Sequence, residues 1–205
     1  MKKIANFIGF GTLATFALAG TFFVIYSLVN LGNVFDMFDF NGGYAFCALM
    51  NLLLCLGCIG ILLVFFVFEI LKMIPVFSGK DVENKSLVHM NTVALFALGV
   101  FFFTLFFTFI ECGILGAKVG GQVIVAFILT LSGLAAVVVG LVVKNFAPLL
   151  KVIFALAGLF MLLVVGFFFF QGADGLFLVY LIFQMIGVFG GMGYLVLANL
   201  DAFKK

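Results

Sequence analysis

The sequence predicts an all-α, polytopic membrane protein in which six transmembrane helices form a compact bundle with short loops. Of the 205 residues, 67% are hydrophobic and 9% are charged, whereas soluble domains carry about a quarter charged residues. Uncharged apolar runs recur along the chain, and each is long enough to cross a hydrocarbon core of about 30 Å. Lipid offers the backbone no hydrogen-bond partners, so these runs are expected to be helices.

A single integral membrane domain is expected over residues 1–205, because the stretches between the apolar runs are too short for a soluble domain. The longest of these stretches runs from Pro75 to about Val88. The expected helices span residues of about 5–31, 45–74, 88–111, 120–143, 147–170 and 175–200.

Polar residues, glycine and proline separate the six runs. Proline cannot donate a hydrogen bond into a helical ladder, which predicts that the second helix ends at Pro75. Glycine and asparagine are typical of turns. In chain order, the five breaks contain Asn41–Gly43, Pro75, Gly120–Gly121, Asn145–Pro148 and Gly172–Gly175.

The lysines predict the orientation. With six spans both termini lie on one side, and all basic residues except Lys118 fall on that side. Cytoplasmic loops carry an excess of lysine and arginine. We therefore expect a protein of the inner cell membrane with both termini cytoplasmic. The lysines on the cytoplasmic side are Lys2, Lys3, Lys72, Lys80, Lys85, Lys144, Lys151, Lys204 and Lys205.

The N-terminal segment also resembles a cleavable signal peptide, since Lys2 and Lys3 precede an apolar stretch that includes Ala17–Ala19. However, the apolar run continues through residues 22–25 with no polar region before the cleavage position. The first span is therefore expected to be a retained signal anchor. A mature N-terminus at Gly20 would contradict this expectation.

Cys55 and Cys58 form a Cys-x-x-Cys motif in the second span. Redox motifs of this kind usually lie at a helix N-terminus, where solvent and the helix dipole favour the thiolate. Cys55 is expected about 16 Å inside its span at 1.5 Å per residue. Cys47, Asn51, Cys55 and Cys58 share one helix face, which we interpret as a helix-packing seam. A disulfide between Cys47 and Cys112, both expected near the outer surface, stays open.

No catalytic residue, metal site or cofactor is expected. The single histidine, His89, and Cys112 fall at opposite membrane surfaces, too far apart to share a zinc ion. Ser132 lacks the first glycine of the Gly-x-Ser-Gly pattern of serine intramembrane proteases. The chain has no phosphate-binding loop and no arginine to clamp a lipid phosphate. A membrane redox or lipid-modifying enzyme is therefore the least favoured alternative.

Small residues recur at helical spacing in several spans. Such residues let membrane helices approach one another closely. The residues predicted to pack helices together are Gly11, Thr15, Ala19, Cys55, Cys58, Ser132, Ala136, Gly140, Gly187 and Gly191.

Polar residues inside the spans are candidates for ligand binding. Tyr180 and Gln184 precede a glycine cluster on one face of the sixth span, and a pocket beside that cluster would receive hydrogen bonds from both. Asn51, Thr104 and Thr108 are the other candidates. No charged residue lies near the centre of any span, so a ligand is expected to be neutral or to keep its charge near a surface.

Six short-looped helices in about 200 residues are similar in size and topology to the substrate-binding subunits of energy-coupling transporters. The resemblance implies a partner docked through small residues such as Gly11, Thr15 and Ala19. We therefore expect a non-enzymatic membrane protein that binds or helps move a small, largely uncharged or amphipathic molecule. Its expected partners are the lipid bilayer and another membrane subunit, and no nucleic acid. The alternative is a structural or assembly subunit of a membrane complex with no ligand of its own.

Overall fold

The computed structural model describes residues 2–36, 46–50, 52–54, 56–57, 59–60, 67, 82–143, 145–170, 172–173 and 175–203. Among them, every regular element is a helix. The continuous helices are α1 (Lys2–Asp36), α2 (Val82–Ile114), α3 (Gly121–Val142), α4 (Pro148–Phe170), α5 (Gly175–Ala198) and the short α6 (Leu200–Phe203).

Five helices in the described part of the chain are long and apolar enough to cross a membrane. They are Phe7–Tyr26 within α1, Asn91–Ile114 within α2, and the whole of α3, α4 and α5. An all-helical protein of membrane type is therefore what the structure shows. The second predicted span, 45–74, lies largely outside the described residues, and those of its residues that are described are helical.

Two helices extend past the predicted boundaries. α1 continues to Asp36 rather than ending near residue 31, and α2 begins at Val82 rather than near residue 88. Both extensions contain polar residues, such as Asn33 in α1 and Glu83 in α2. Hydropathy marks where a helix enters lipid, whereas the backbone remains helical for as long as its residues tolerate the conformation.

The turn between α2 and α3 depends on one glycine. Gly116 has a φ of 65°, in the left-handed region that a residue with a Cβ adopts only at a cost. The Ala117 N–H donates to the Cys112 carbonyl at 2.8 Å, which satisfies a carbonyl of the last α2 turn as in a Schellman motif. The chain then reverses within a few residues and enters α3.

α1 packs most extensively on α5, and the two helices are antiparallel. A Cβ built on Gly9, near the start of α1, would lie 2.8 Å from the ring of Tyr194, near the end of α5. Further along α1, the Phe23 ring lies 5.0 Å from the Tyr180 ring, nearer the start of α5. Residue numbers therefore rise along α1 as they fall along the facing surface of α5.

From α2 to α5, helices that follow one another in the chain are also antiparallel. α2 packs on α3, α3 on α4, and α4 on α5. It follows that α1, α2 and α4 run in one direction and that α3 and α5 run in the other. The contacts that fix these directions are Leu98–Gly133 and Phe109–Phe127, Gly133–Met161 and Gly140–Phe154, and Gly166–Met185 with Phe169–Phe177.

Candidate functional site

A cavity of ≈ 40 Å³ lies between α1, α2 and α5. Apart from the carboxamide of Gln184 and the hydroxyl of Tyr180, its described walls are hydrocarbon. The lining residues are Phe16, Ala19, Gly20 and Phe23 of α1, Val93, Phe96, Ala97 and Val100 of α2, and Tyr180 and Gln184 of α5.

The cavity exists because small residues lie where three helices meet. Ala19 and Gly20 of α1 and Ala97 of α2 carry too little side chain to fill the space between them. Between described residues, α1 and α2 hardly contact one another, although each packs on α5. Aromatic stacking holds α1 on α5 at this level, with the rings of Phe22 and Phe183 at 5.6 Å and an interplanar angle of 6°.

Gln184 is the polar centre of this cavity. Its side chain is 2% exposed, and its Oε1 atom has no hydrogen-bond partner among the described residues. It is the tenth residue of α5, which begins at Gly175, so it lies about 14 Å along the helix axis. A buried acceptor left without a donor costs about 1–3 kcal/mol. A bound donor would remove that cost.

Asn91 is a second buried amide, and sequence reasoning missed it. It lies on α2 two residues before Val93, is 1% exposed, and its Oδ1 atom also has no partner among the described residues. Its position in the helical repeat could have revealed that Asn91 is buried. The buried residues Ala94, Leu98 and Phe101 follow at three, seven and ten positions, which places Asn91 on the same inward face.

The ligand-binding candidates are not brought together as a set. Tyr180 and Gln184 both line the cavity. Thr104 and Thr108 lie half-buried further along α2 and do not line it, and their hydroxyls donate at 2.9 Å to the carbonyls of Val100 and Thr104 in their own helix. Asn51 lies outside the described residues.

On α1 and α5, several predicted packing residues form the helix contact itself. A Cβ on Gly187 would lie 3.1 Å from the Phe16 ring and 3.1 Å from the Thr15 hydroxyl oxygen. Gly191 is buried on the same face of α5, and Ala19 is buried opposite. All of these residues lie along one antiparallel seam beside the cavity.

Gly11 lies apart from that seam. It is exposed, and a Cβ built on it would meet nothing within 4 Å in the described part of the chain. Among the other predicted packing residues, Cys55 and Cys58 lie outside the described residues.

The packing face of α3 differs by about one residue from the predicted one. Gly140 is buried and a Cβ there would lie 3.0 Å from the Phe154 side chain. Ala136 is half-buried and Ser132 is exposed, with the Ser132 hydroxyl donating to the Ile128 carbonyl at 2.8 Å. Steps of four residues drift around a helix of 3.6 residues per turn, so the stripe leaves the contact. The buried face comprises Ala126, Thr130, Gly133, Val137 and Gly140.

Cys47 is buried and Cys112 is half-buried. The structure contains no disulfide between these two residues, a pairing that the sequence left open. The described residues also contain no group of three or more His, Cys, Asp or Glu side chains that could hold a metal ion.

A larger cavity of ≈ 210 Å³ lies at the end of the bundle that carries the α2–α3 turn. Its walls come from the start of α3, the end of α4 and the start of α5, and include Phe168, Phe169 and Phe177. Its only amide among the described lining residues, Gln122, is exposed to solvent. This cavity therefore lacks the buried, unpartnered acceptor that distinguishes the site at Gln184.

A comparison of the chain with protein families, curated proteins and solved structures finds no match. The cavity and its lining residues are therefore the basis of the proposed function.

Proposed function

We propose that this chain is a non-enzymatic integral membrane protein that binds or helps move a small, largely uncharged or amphipathic molecule, working with a partner subunit. The observation that carries the proposal is the buried Gln184 carboxamide oxygen, which lacks a donor among the described residues and belongs to the wall of an apolar cavity. Concave, mostly apolar sites with few polar groups are the usual form of small-molecule sites.

The cavity wall favours an uncharged occupant. Its described lining residues include no Asp, Glu, Lys or His. A charged group buried among hydrocarbon side chains has to be paired or solvated, and charges inside membranes face partners or water-filled cavities. A ligand charge would therefore have to remain outside this cavity, near a membrane surface.

Six spans are part of the proposal, and the helix directions support that count. α1 and α2 run in the same direction, so α1 ends and α2 begins at opposite ends of the bundle. Asp36 and Val82 therefore lie at opposite ends of the bundle, and the sequence between them contains the apolar run predicted as the second span. With six spans, the lysine distribution favours cytoplasmic termini in the cell membrane.

The partner subunit is proposed from the outward face of α1. Gly11 is exposed there and no described residue approaches the position of its missing Cβ within 4 Å. Membrane helices associate through such small residues because the backbones come close. A partner helix docked at Gly11 would leave the cavity on the opposite side of α1 accessible.

Native mass spectrometry of the full chain in nanodiscs tests the proposed function. We expect a reproducible small-molecule adduct on the wild type that is lost in Gln184→Leu. Gln122→Leu, the same change at an exposed position, is the matched control and should retain the adduct. An adduct that survives in Gln184→Leu would remove this cavity from the function.

A structural or assembly subunit without a ligand is the second candidate. The small volume of the cavity, ≈ 40 Å³, favours it, since pockets for drug-sized ligands measure about 300–1,000 Å³. A stoichiometric partner subunit with no adduct in the same mass spectra would support this candidate and contradict the first.

A further inference from the structure

We infer that the occupant of the α1–α2–α5 cavity is a slender, uncharged lipid alcohol: a hydrocarbon chain whose hydroxyl group donates a hydrogen bond to Gln184. This inference rests on the proposed function, and it narrows the ligand from small neutral or amphipathic molecules to one chemical class. Three properties of the cavity carry it, namely its size, its depth and its unmet hydrogen bond.

The size of the cavity selects an extended chain. At ≈ 40 Å³ it exceeds the roughly 10–15 Å³ that a single water molecule needs. A water molecule also needs two to four polar partners, and the described wall offers only Gln184 and Tyr180. The space is far below that of a pocket for a compact ring system. The apolar wall suits a segment of a single hydrocarbon chain.

The depth of Gln184 selects an uncharged end group. Gln184 is about 14 Å from the start of α5 and about 21 Å from its end at Ala198. A phosphate, ammonium or carboxylate headgroup remains at the membrane surface, because moving it to this depth is costly without a paired charge. A hydroxyl group reaches the same depth at much lower cost when it finds an acceptor.

The Gln184 carboxamide oxygen favours a ligand that donates a hydrogen bond. The nearby hydroxyl groups of α1 are already engaged, since Thr12 donates to the Ile8 carbonyl at 2.9 Å and Thr15 donates to the Thr12 carbonyl at 2.8 Å. The carboxamide oxygen of Gln184 has no such donor among the described residues. The terminal torsion of glutamine is soft, so a small rotation presents this oxygen to a hydroxyl group in the cavity.

α1 and α2 flank the cavity and run in the same direction, and few of their described residues approach one another. Phe16, Phe23 and Phe96 line the cavity and provide the apolar contacts.

Photo-crosslinking of the full chain in phosphatidylcholine nanodiscs tests the inference. The probes are palmityl alcohol with a mid-chain diazirine, its methyl ether, and the palmitic acid with the same diazirine. We expect the alcohol to label α1, α2 and α5 residues of the cavity about two- to tenfold more than the ether or the acid, as the loss of one hydrogen bond predicts. Gln184→Met should abolish the advantage of the alcohol, and Gln122→Met should preserve it.

The other possible labelling results would contradict particular parts of the inference. Equal labelling by alcohol and ether on the wild type would overturn the donor class while leaving the proposed function intact, and this comparison needs no variant. Preferential labelling by the acid would overturn the uncharged class. Ala97→Leu fills the cavity and should remove labelling by every probe; persistent labelling would place the probes elsewhere and overturn the inference. No labelling of cavity residues together with no native adduct would overturn the proposed function as well.

Discussion

The contact between α3 and α4 and the junction of α1, α2 and α5 use the same kinds of residue with opposite results. Where α3 contacts α4, a side chain of the neighbouring helix fills the space beside each of these glycines: Met161 approaches Gly133, and Val137 approaches Gly158. At the junction, Ala19 and Ala97 leave a cavity instead. Small residues therefore allow tight packing where a neighbouring side chain fills the space beside them, and they leave a cavity where no described side chain does so.

The buried polar groups differ in the same way. Thr130 on α3 is fully buried, and its hydroxyl donates to the Ala126 carbonyl of its own helix at 2.7 Å. Gln184 is equally buried, but its carboxamide oxygen has no donor among the described residues. A buried polar group that makes a hydrogen bond within its own helix is compatible with a purely structural contact. A buried polar group without a hydrogen bond is destabilising unless something binds to it.

The two regions should differ most in how the free energy of unfolding responds to a larger side chain. Ala155→Leu on α4, at a residue with 0% exposure in the packed core, should lower the free energy of unfolding by about 1–3 kcal/mol through overpacking. Ala97→Leu should be neutral or stabilising, because its added carbons enter the cavity. Unfolding in mixed detergent micelles by titration with sodium dodecyl sulfate measures both. Equal losses in the two variants would contradict the contrast.

A smaller effect is expected at Gly158. A Cβ at this position would overlap the Val137 Cγ2 atom, and the branched valine side chain has essentially one rotamer in a helix, so it cannot move aside. Gly158→Ala should therefore destabilise the chain by about 1–2 kcal/mol in the same titration. Gly113→Ala, where a Cβ would meet nothing within 4 Å among described residues, is the control and should be neutral or slightly stabilising.

Sequence periodicity predicted the class, most helix boundaries and the face of α5 that carries Tyr180 and Gln184. These features depend on one helix at a time, so hydropathy and a period of 3.6 residues are enough. The cavity depends on the separation of three helices, which no single-helix pattern contains. Asn91 was missed for a related reason, since one amide near the end of an apolar run resembles an interfacial residue until its phase is compared with Ala94 and Leu98.

Substitutions on α3 should have the smallest effects. They test whether the packing face of a helix can be predicted from the spacing of small residues in its sequence alone. Ser132 and Gly133 are neighbours in sequence, yet Ser132 is exposed while a Cβ on Gly133 would lie 2.9 Å from Met161 Cβ. Ser132→Ala should change the free energy of unfolding by less than about 0.5 kcal/mol, as surface substitutions do. Gly133→Ala should be clearly destabilising because Met161 Cβ is held by its own helix. If Ser132→Ala were the costlier change, the packing face of α3 would be the one that the four-residue stripe predicts.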